Sequence, residues 1–468
     1  MLNAHVRYMC YPSVVEAGKE TVVWIRPRDI SRVFRQEDSY ALGVMGVFDD
    51  NPDYHAPTVL DHEFTIVDGC LVFTHTFQRE QEYSIRFKKQ GEKEHRIPLY
   101  AVNGDLYALR PLKGDLHTHS YYSDGQDGLP MTPADYREEG FDFFALTDHN
   151  RMYTSEYARK LYEDIPLGMH MMLGEEVHTP GSDLHIVHVG GKESVCSRYI
   201  SDREGYEKAL DDLEVEFSYV DAQYRRRYAM AVWASRQIHK AEGLAILAHP
   251  YWRPNTNNIS DAFLDLVYDD KLFDAFEVMG GISSVHNNMH LALWYEKAME
   301  GKVLSVVGSS DSHDHDWETG VFARRFTVVF AKGNTTEAIL DAIRKGYSVA
   351  AEIPSRQGSE IRFYGDLRLV SFAHFLYQNY FNETHRLSMG EGILMRRYAE
   401  GEPVGELLRL LAPTVENFYK AFYGITPPVG LPQERMEFLD QLRNTQRTQG
   451  PITKGSQLYI YGGNERRE

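Results

Sequence analysis

Apolar, strand-like runs that end in histidines and carboxylates are the feature that most restricts how this chain can fold. Four such runs end in Asp115-Leu-His-Thr-His119, Thr147-Asp-His149, Ala248-His-Pro250 and Ser310-Asp-Ser-His313. A glutamate, Glu176, lies between the second and the third of them in sequence. Clusters of buried histidines and carboxylates outside a metal site would destabilise a protein through desolvation and like-charge repulsion. The sequence therefore predicts a fold that brings distant strand ends together around metal ions.

The composition is that of a globular protein. The 468 residues are 43% hydrophobic and 25% charged, and the net charge of −18 disfavours general binding to nucleic acid or anionic membranes. No apolar run is long enough to span a membrane, and no signal segment is evident at the N-terminus. The three cysteines have no metal-ligand spacing. We expect a cytoplasmic protein with no membrane partner.

The order of predicted elements divides the chain into three parts. Residues 1–110 contain β-branched and aromatic runs separated by turn signals, which predict an all-β, sandwich-like domain. Residues 111–355 alternate helices, glycines, apolar strands and polar ligands, a pattern typical of a parallel α/β fold with functional groups at the carboxyl ends of its strands. Residues 356–468 are mostly helical in pattern and end in a strand candidate at residues 457–461.

The spacing within the motifs indicates which side chains can bind an ion together. His117 and His119 flank one residue, so on an extended segment both imidazoles point to the same side. Asp311 and His313 have the same spacing. Asp124 follows on a turn and can reach a neighbouring ion, whereas Asp115 is expected to orient a ligand.

Glu176 is the candidate for a carboxylate shared by two ions, since each of its oxygens can bind a different one. Its neighbour Glu175 would face the other side of the strand. One more imidazole is expected from the segment that follows; His185 and His188 both remain open, and His185 is preferred. Arg253 is the candidate for a bidentate contact with a phosphate group.

As an ordered set, these motifs resemble the PHP (polymerase and histidinol phosphatase) superfamily of metal-dependent phosphoesterases. The strand-rich leader resembles most the carbaryl-hydrolase-like branch. The resemblance covers roughly residues 113–355, through Gly114-Asp-Leu-His-Thr-His-Ser120 with Ser123-Asp-Gly125, Thr147-Asp-His149, Gly174-Glu-Glu176, Ala248-His-Pro250 and Gly308-Ser-Ser-Asp-Ser-His313.

The resemblance implies a distorted (β/α)7 barrel that holds two or three divalent ions, with zinc, manganese and iron as candidates. It also implies that His149 and His313 assist departure of the leaving group. The implied ligands are His117, His119, Glu176 and Asp311 for the first ion, Glu176, His185 and His249 for the second, and Asp124, His149 and His313 for the third.

The function predicted is that of a metal-dependent phosphoesterase in which a metal-bridging hydroxide attacks a small phosphorylated or nucleotide-like substrate. One alternative is a carboxylic or carbamate ester hydrolase that uses the same hydroxide. A histidinol-phosphate phosphatase is disfavoured by the additional modules at both ends. A sensing or scaffold module that binds metal without catalysis is disfavoured because every carried-over position holds a competent ligand. Self-association into a homo-oligomer is a further expectation.

Overall fold

The computed structural model describes residues 7–49, 59–252, 259–269, 272–315, 321–354 and 360–449. Contacts divide the chain into two compact units. The first comprises Met1–Gly104 and Lys420–Glu468, and the second comprises Asp105–Tyr419. The helical C-terminal region is thus divided between the two units, and the three consecutive domains expected from the sequence stay a prediction. The strand candidate at residues 457–461 lies outside the described residues.

The first unit contains two four-stranded sheets with one apolar core. The core joins residues of both sheets, among them Val23, Phe73, Ile85 and Leu99. In β7 the residues alternate between buried and half-buried, as expected of a strand with one face on a core. The sheets have the orders β1-β3-β6-β5 and β2-β8-β7-β4, with β1 (Tyr8–Tyr11), β2 (Val14–Glu16), β3 (Glu20–Pro27), β4 (Tyr40–Gly46), β5 (Thr65–Val67), β6 (Cys70–Thr76), β7 (Gln81–Lys89) and β8 (His95–Val102).

The second unit contains a six-stranded and a five-stranded sheet. The six-stranded sheet has the order β11-β10-β9-β17-β18-β19, with β9 (Arg110–Asp115), β10 (Phe143–Ala145), β11 (His170–Met172), β17 (Arg325–Ala331), β18 (Ser348–Glu352) and β19 (Arg362–Tyr364). The five-stranded sheet has the order β12-β13-β14-β15-β16, with β12 (Gly174–Val177), β13 (Ile186–Val189), β14 (Leu244–Leu247), β15 (Ala275–Met279) and β16 (Ser305–Gly308). Apolar side chains of both sheets form one buried cluster.

The sheets of the second unit are mixed, which differs from the parallel arrangement that the sequence predicts. Strands β9, β10 and β11 run parallel, as do β14, β15 and β16. Strand β13 pairs antiparallel with β12 and with β14, and β17 pairs antiparallel with β9. The physical reason at β12–β13 is the short connection, residues 178–185, which is too short to hold a crossover helix.

Two isolated parallel bridges join the sheets at the carboxyl ends of their strands. One pairs Thr118 with Ser312, and the other pairs His149 with Glu176. Both bridges therefore lie within the motifs that end the apolar strands. The α/β class with several sheets and a helical C-terminal region is confirmed, and closure into a seven-stranded barrel stays a prediction.

Helices accompany these strands and fill the C-terminal region. Those up to residue 344 are α1 (Gly104–Tyr107), α2 (Met131–Glu138), α3 (Tyr153–Lys160), α4 (Val195–Ser201), α5 (Arg203–Glu216), α6 (Ala222–Lys240), α7 (Asp261–Asp269), α8 (Ser284–Met299) and α9 (Thr336–Arg344). Later ones are α10 (Leu367–Leu376), a π-helical turn (Tyr377–Phe381), α11 (Asn382–Ala399), α12 (Gly405–Leu411), α13 (Thr414–Phe422) and α14 (Gln433–Gln449). Among the helices described, none has the length and apolar content needed to cross a bilayer.

A buried ion pair holds α11 against α2. Arg137 Nε donates to Glu391 Oε2 over 2.7 Å, and neither side chain is exposed. The second oxygen of Glu391 accepts a hydrogen bond from the Gly168 amide over 2.6 Å. The helices approach so closely at Gly392 that a Cβ there would lie 2.3 Å from the Glu138 amide nitrogen. Helix α11 is therefore an integral part of the second unit.

Replacing Glu391 by alanine should leave the buried Arg137 guanidinium with only the more distant carboxylate of Asp142, at 3.9 Å, and lower the free energy of unfolding by about 3–5 kcal/mol. The matched control is Glu406→Ala, which removes a carboxylate that is 88% exposed and pairs with Arg409 within α12. That variant should change the free energy by no more than about 0.5 kcal/mol. Urea denaturation of both variants measures the difference, and equal losses would contradict this account of α11.

Candidate metal centre

The strand ends of the second unit bring the predicted ligands to one place. His117 and His119 follow β9, His149 follows β10, and Glu176 lies in β12. His185 precedes β13, His249 follows β14, and Asp311 with His313 follows β16. His249 and Asp311 adopt left-handed backbone conformations, with φ of 26° and 47°. Such strain in non-glycine residues costs of order 1–2 kcal/mol and is concentrated at functional sites.

Four side chains converge on one point at the base of this cluster. His117 Nε2 and His119 Nε2 lie 3.2 Å apart, and each lies 3.1–3.3 Å from Glu176 Oε2 and Asp311 Oδ1. Ligand atoms that surround one ion tetrahedrally at about 2.0 Å lie about 3.3 Å from each other. His117, His119 and Glu176 are buried, and the Asp311 side chain is 14% exposed. The four atoms have the spacing of a metal coordination shell.

The second oxygen of Glu176 faces a different set of imidazoles. Glu176 Oε1 lies 2.9 Å from His185 Nδ1, 3.3 Å from His249 Nε2 and 3.2 Å from His178 Nε2. A carboxylate whose oxygens face separate groups of ligands can be shared by two cations. Glu176 thus has the geometry that the sequence predicts for a bridging group.

Asp124 joins a third group on the more open side. Its Oδ2 lies 3.2 Å from His149 Nε2, and its Oδ1 lies 3.3 Å from His313 Nε2 and 3.8 Å from His119 Nδ1. The Asp124 side chain is 53% exposed, and that of His313 is 38% exposed. The nine side chains predicted as ligands therefore lie in one connected cluster.

Several atoms of the cluster are buried without a hydrogen-bond partner in the described part of the chain. They are His149 Nδ1, Glu176 Oε1, His178 Nε2 and His185 Nδ1. The nitrogens lie 2.8–3.2 Å from oxygens of Glu176, but their rings are not aligned to donate to it. Buried polar atoms without partners are rare and costly. Cations between these atoms would satisfy all of them, so the residues present fit a divalent-metal site.

The carboxylates at the centre are held in the ionised form. Burial alone would raise the pKa of Glu176, but the surrounding imidazoles, His117 foremost, hold it well below its ordinary value. The pKa of Asp311 is lowered in the same way, against burial, by His117, His119 and His249. Burial lowers the pKa of His185 to about 4 although Glu176 opposes the shift. Its imidazole is therefore neutral at pH 7, as a metal ligand must be.

Glu277 is a functional residue that the sequence reasoning missed. It lies within β15, is fully buried, and its Oε2 is 2.9 Å from His117 Nδ1. The hydrogen bond directs His117 Nε2 towards the cluster, as carboxylates commonly do for metal-binding histidines. Gly280 leaves room for Glu277, since a Cβ there would lie 2.4 Å from Oε1. The sequence feature that could have identified Glu277 is its position as a carboxylate in the otherwise apolar run of residues 275–279.

Two aspartates of the motifs position the backbone and do not join the cluster. Asp115 accepts hydrogen bonds from the amides of His117 and Ser310, at 3.2 and 3.1 Å, and so ties the ends of β9 and β16. Asp148 accepts from Ser120 and from Ser123, both at 2.6 Å, and fixes the turn that leads to Asp124. Asp115 therefore orients the ligand His117 as expected, but through the main-chain amide of His117 and not through its imidazole.

Three further histidines have different partners in the structure. His185 lies against Glu176, whereas His188 turns away and lies 3.1 Å from Glu175 Oε1. His290 Nε2 accepts from the Tyr251 amide over 3.2 Å, so it supports the loop after His249. Arg253, the predicted phosphate contact, lies outside the described residues.

No family model matches the sequence. No curated protein matches it either. Among solved structures, a two-domain protein from Bacteroides vulgatus that contains a predicted PHP-like metal-dependent phosphoesterase matches with 22% identity and a TM-score of 0.36, over 52% of this chain and 65% of that one. A protein from Bifidobacterium adolescentis, described provisionally as a metal-dependent phosphoesterase, matches with 19% identity and a TM-score of 0.31, over 43% of this chain and 87% of that one. An amidohydrolase from Chromobacterium violaceum, solved with sulfate and no metal, matches with 18% identity and a TM-score of 0.30, over 44% of this chain and 89% of that one.

The match spans less than two thirds of the Bacteroides protein, and all three TM-scores are below 0.5. Similarity at this level does not transfer an activity or a substrate. The first two of these proteins are described as metal-dependent phosphoesterases, the class of protein that the sequence motifs resemble.

Proposed function

We propose that this chain is a metal-dependent hydrolase that acts on phosphoric esters of small phosphorylated or nucleotide-like molecules. The observation that carries the proposal is the buried carboxylate of Glu176, whose two oxygens face separate groups of histidines. Two or three divalent ions, with zinc, manganese and iron as the candidates for mixed imidazole and carboxylate ligands, would be held there. When bound, such ions supply an acidified water and neutralise charge that develops on the phosphate.

We also propose that strands β9, β10 and β12–β16 close into a distorted (β/α)7 barrel with the metal cluster at its mouth. The shared apolar core and the bridges Thr118–Ser312 and His149–Glu176 support this closure, since the bridges join the segments at both edges of the five-stranded sheet, β16 and β12, to those that follow β9 and β10. A barrel mouth surrounded by strand ends is where catalytic residues gather in such folds.

The protein's own residues have distinct roles in this proposal. Glu277 fixes the His117 ring, and Glu176 sets the separation of two ion positions. His313 Nδ1 lies 3.0 Å from the Asp311 carbonyl and donates to it, so Nε2 keeps its lone pair facing Asp124. We assign assistance at the leaving group to His149 and His313, which would hold an ion together with Asp124 on the open side of the cluster.

A second candidate, hydrolysis of carboxylic or carbamate esters, is favoured by one observation. Across the described residues, the ion pairs of Asp124, Glu176 and Asp311 are formed with histidines and not with lysine or arginine. A phosphate substrate usually meets a cationic side chain. In the phosphoesterase proposal, Arg253 supplies that contact.

The first test is hydrolysis of an aryl phosphate with added manganese or zinc, by the unaltered protein and by His117→Ala. Loss of His117 removes a ligand at the base of the cluster, so kcat/KM should fall by at least about a thousandfold, or ~4 kcal/mol of barrier. His286→Ala, on α8 outside the cluster, is the matched control and should retain activity. Equal activity of the two variants, or inactivity of all three proteins with every metal, would count against the assignment.

The second test compares substrate classes. A panel of phosphomonoesters, phosphodiesters and aryl carboxylic esters should give kcat/KM values that favour a phosphoric ester by more than about tenfold, equivalent to ~1.4 kcal/mol. The reverse preference would establish the ester or carbamate hydrolase in its place.

The third test uses the protonation of the ligands. Burial would lower the pKa of His119, but Asp311 and Glu176 outweigh it and raise that pKa to about 9; the pKa of His117 is raised likewise. Both rings therefore carry protons at pH 7 that an incoming metal must displace, and metal affinity should rise with pH up to about 9.

Titration calorimetry at pH 7, in two buffers of different ionisation enthalpy, should detect release of about two protons for each chain that is loaded. His185, with its pKa of about 4, should contribute none. Binding heats that do not depend on the buffer would contradict this proton balance.

A further inference from the structure

His178 occupies a place in the cluster that neither the motifs nor the resemblance assigns. It directly follows β12, and its Nε2 lies 3.2 Å from Glu176 Oε1. That nitrogen is buried and has no hydrogen-bond partner among the described residues, although a quarter of the side chain is exposed. Its ring centroid lies 4.4 Å from that of His149 and 3.6 Å from that of His185.

The main chain of His178 is fixed on both sides. Its amide donates to Asn150 Oδ1 over 2.8 Å, and its carbonyl accepts from the Tyr199 hydroxyl over 3.1 Å. Asn150 directly follows His149 and has a left-handed backbone, with φ of 57°. The polar contacts that fix His178 are thus connected to the residue beside His149. These contacts fix the main-chain position from which the ring reaches Glu176.

The approach of His178 to Glu176 needs a third atom to be favourable. A ring nitrogen 3.2 Å from a carboxylate oxygen normally donates a hydrogen bond, yet this pair is not aligned for one. Without an N–H between them, two lone pairs face each other, which is repulsive. His149 Nδ1 meets the same carboxylate over 2.8 Å, also without a hydrogen bond. A cation between these three groups would turn the repulsion into coordination.

We infer that His178 is a metal ligand, which binds through Nε2 an ion shared with Glu176 and His149 Nδ1. The three residues form a group whose ligand atoms all lie within 4.8 Å of one another. This inference rests on the metal centre of the proposed function and adds an imidazole to it. Nitrogen-rich sites favour zinc over manganese, whose preferred ligands are oxygens. His178 therefore makes the centre selective for zinc.

The experiment measures metal binding and not activity. The full-length protein is stripped, and zinc is titrated in competition with a fluorescent chelator for the unaltered chain, His178→Phe, His178→Asp and the control His286→Phe. His178→Phe keeps a planar ring without a ligand atom, so it should lose one zinc per chain or bind it at least about 100-fold more weakly. His178→Asp should keep the number of ions and shift the zinc-to-manganese preference at least about tenfold towards manganese.

The outcomes separate this inference from the proposed function. If His178→Phe binds as many zinc ions as the unaltered protein, with an affinity within about threefold, the role of His178 is overturned and the metal centre is not. Absence of zinc and manganese binding by the unaltered protein would overturn the metal centre itself, and this inference with it. If His178→Phe does not fold, as judged by circular dichroism, His178→Ala replaces it with the same expected loss, and full zinc binding by that variant would overturn the inference.

Discussion

The buried carboxylate of Glu176 is the constraint on which the rest of the site depends. Taking an ionised carboxylate out of water is costly unless cations and hydrogen-bond donors compensate. Glu176 is 1% exposed, and imidazoles from four separate segments surround it. His117, His149 and His249 reach it from strand ends far apart in sequence, so burial of this one charge requires the fold of the whole second unit.

Buried carboxylates connect the strands of the second unit to the ligands of the cluster. Glu277 reaches His117 from β15, and Asp115 binds the amides at the ends of β9 and β16. On the other face of β12, Glu175 accepts from His188 and from the Ser194 hydroxyl. These contacts fix ring orientations and loop positions. The site therefore has the pre-organisation that metal catalysis needs, since ligands that are already in place need little reordering when an ion binds.

Residue type and spacing were sufficient to find most of the cluster from the sequence. His117 and His119 could be paired because strand geometry places alternate residues on one side, and the same rule separates Glu175 from Glu176. The sequence favoured His185 and left His188 open; the register of β13 against β12 decides between them, because it places His188 opposite Glu175 and Val187 opposite Glu176. The antiparallel turn between these strands was missed, although residues 178–185 between them are too few for the helix that a parallel crossover needs. His178 lies on that turn, so its approach to Glu176 depends on the turn's path.

Anomalous diffraction from crystals grown with zinc or manganese tests the central claim most directly. The account predicts two ion peaks, one on each side of the Glu176 carboxylate and about 3.5–4 Å apart. One peak should lie between His117 and His119, and the other should lie on the side of Oε1. Peaks that do not contact Glu176, or a Glu176 carboxylate that binds no ion at saturating metal, would contradict it.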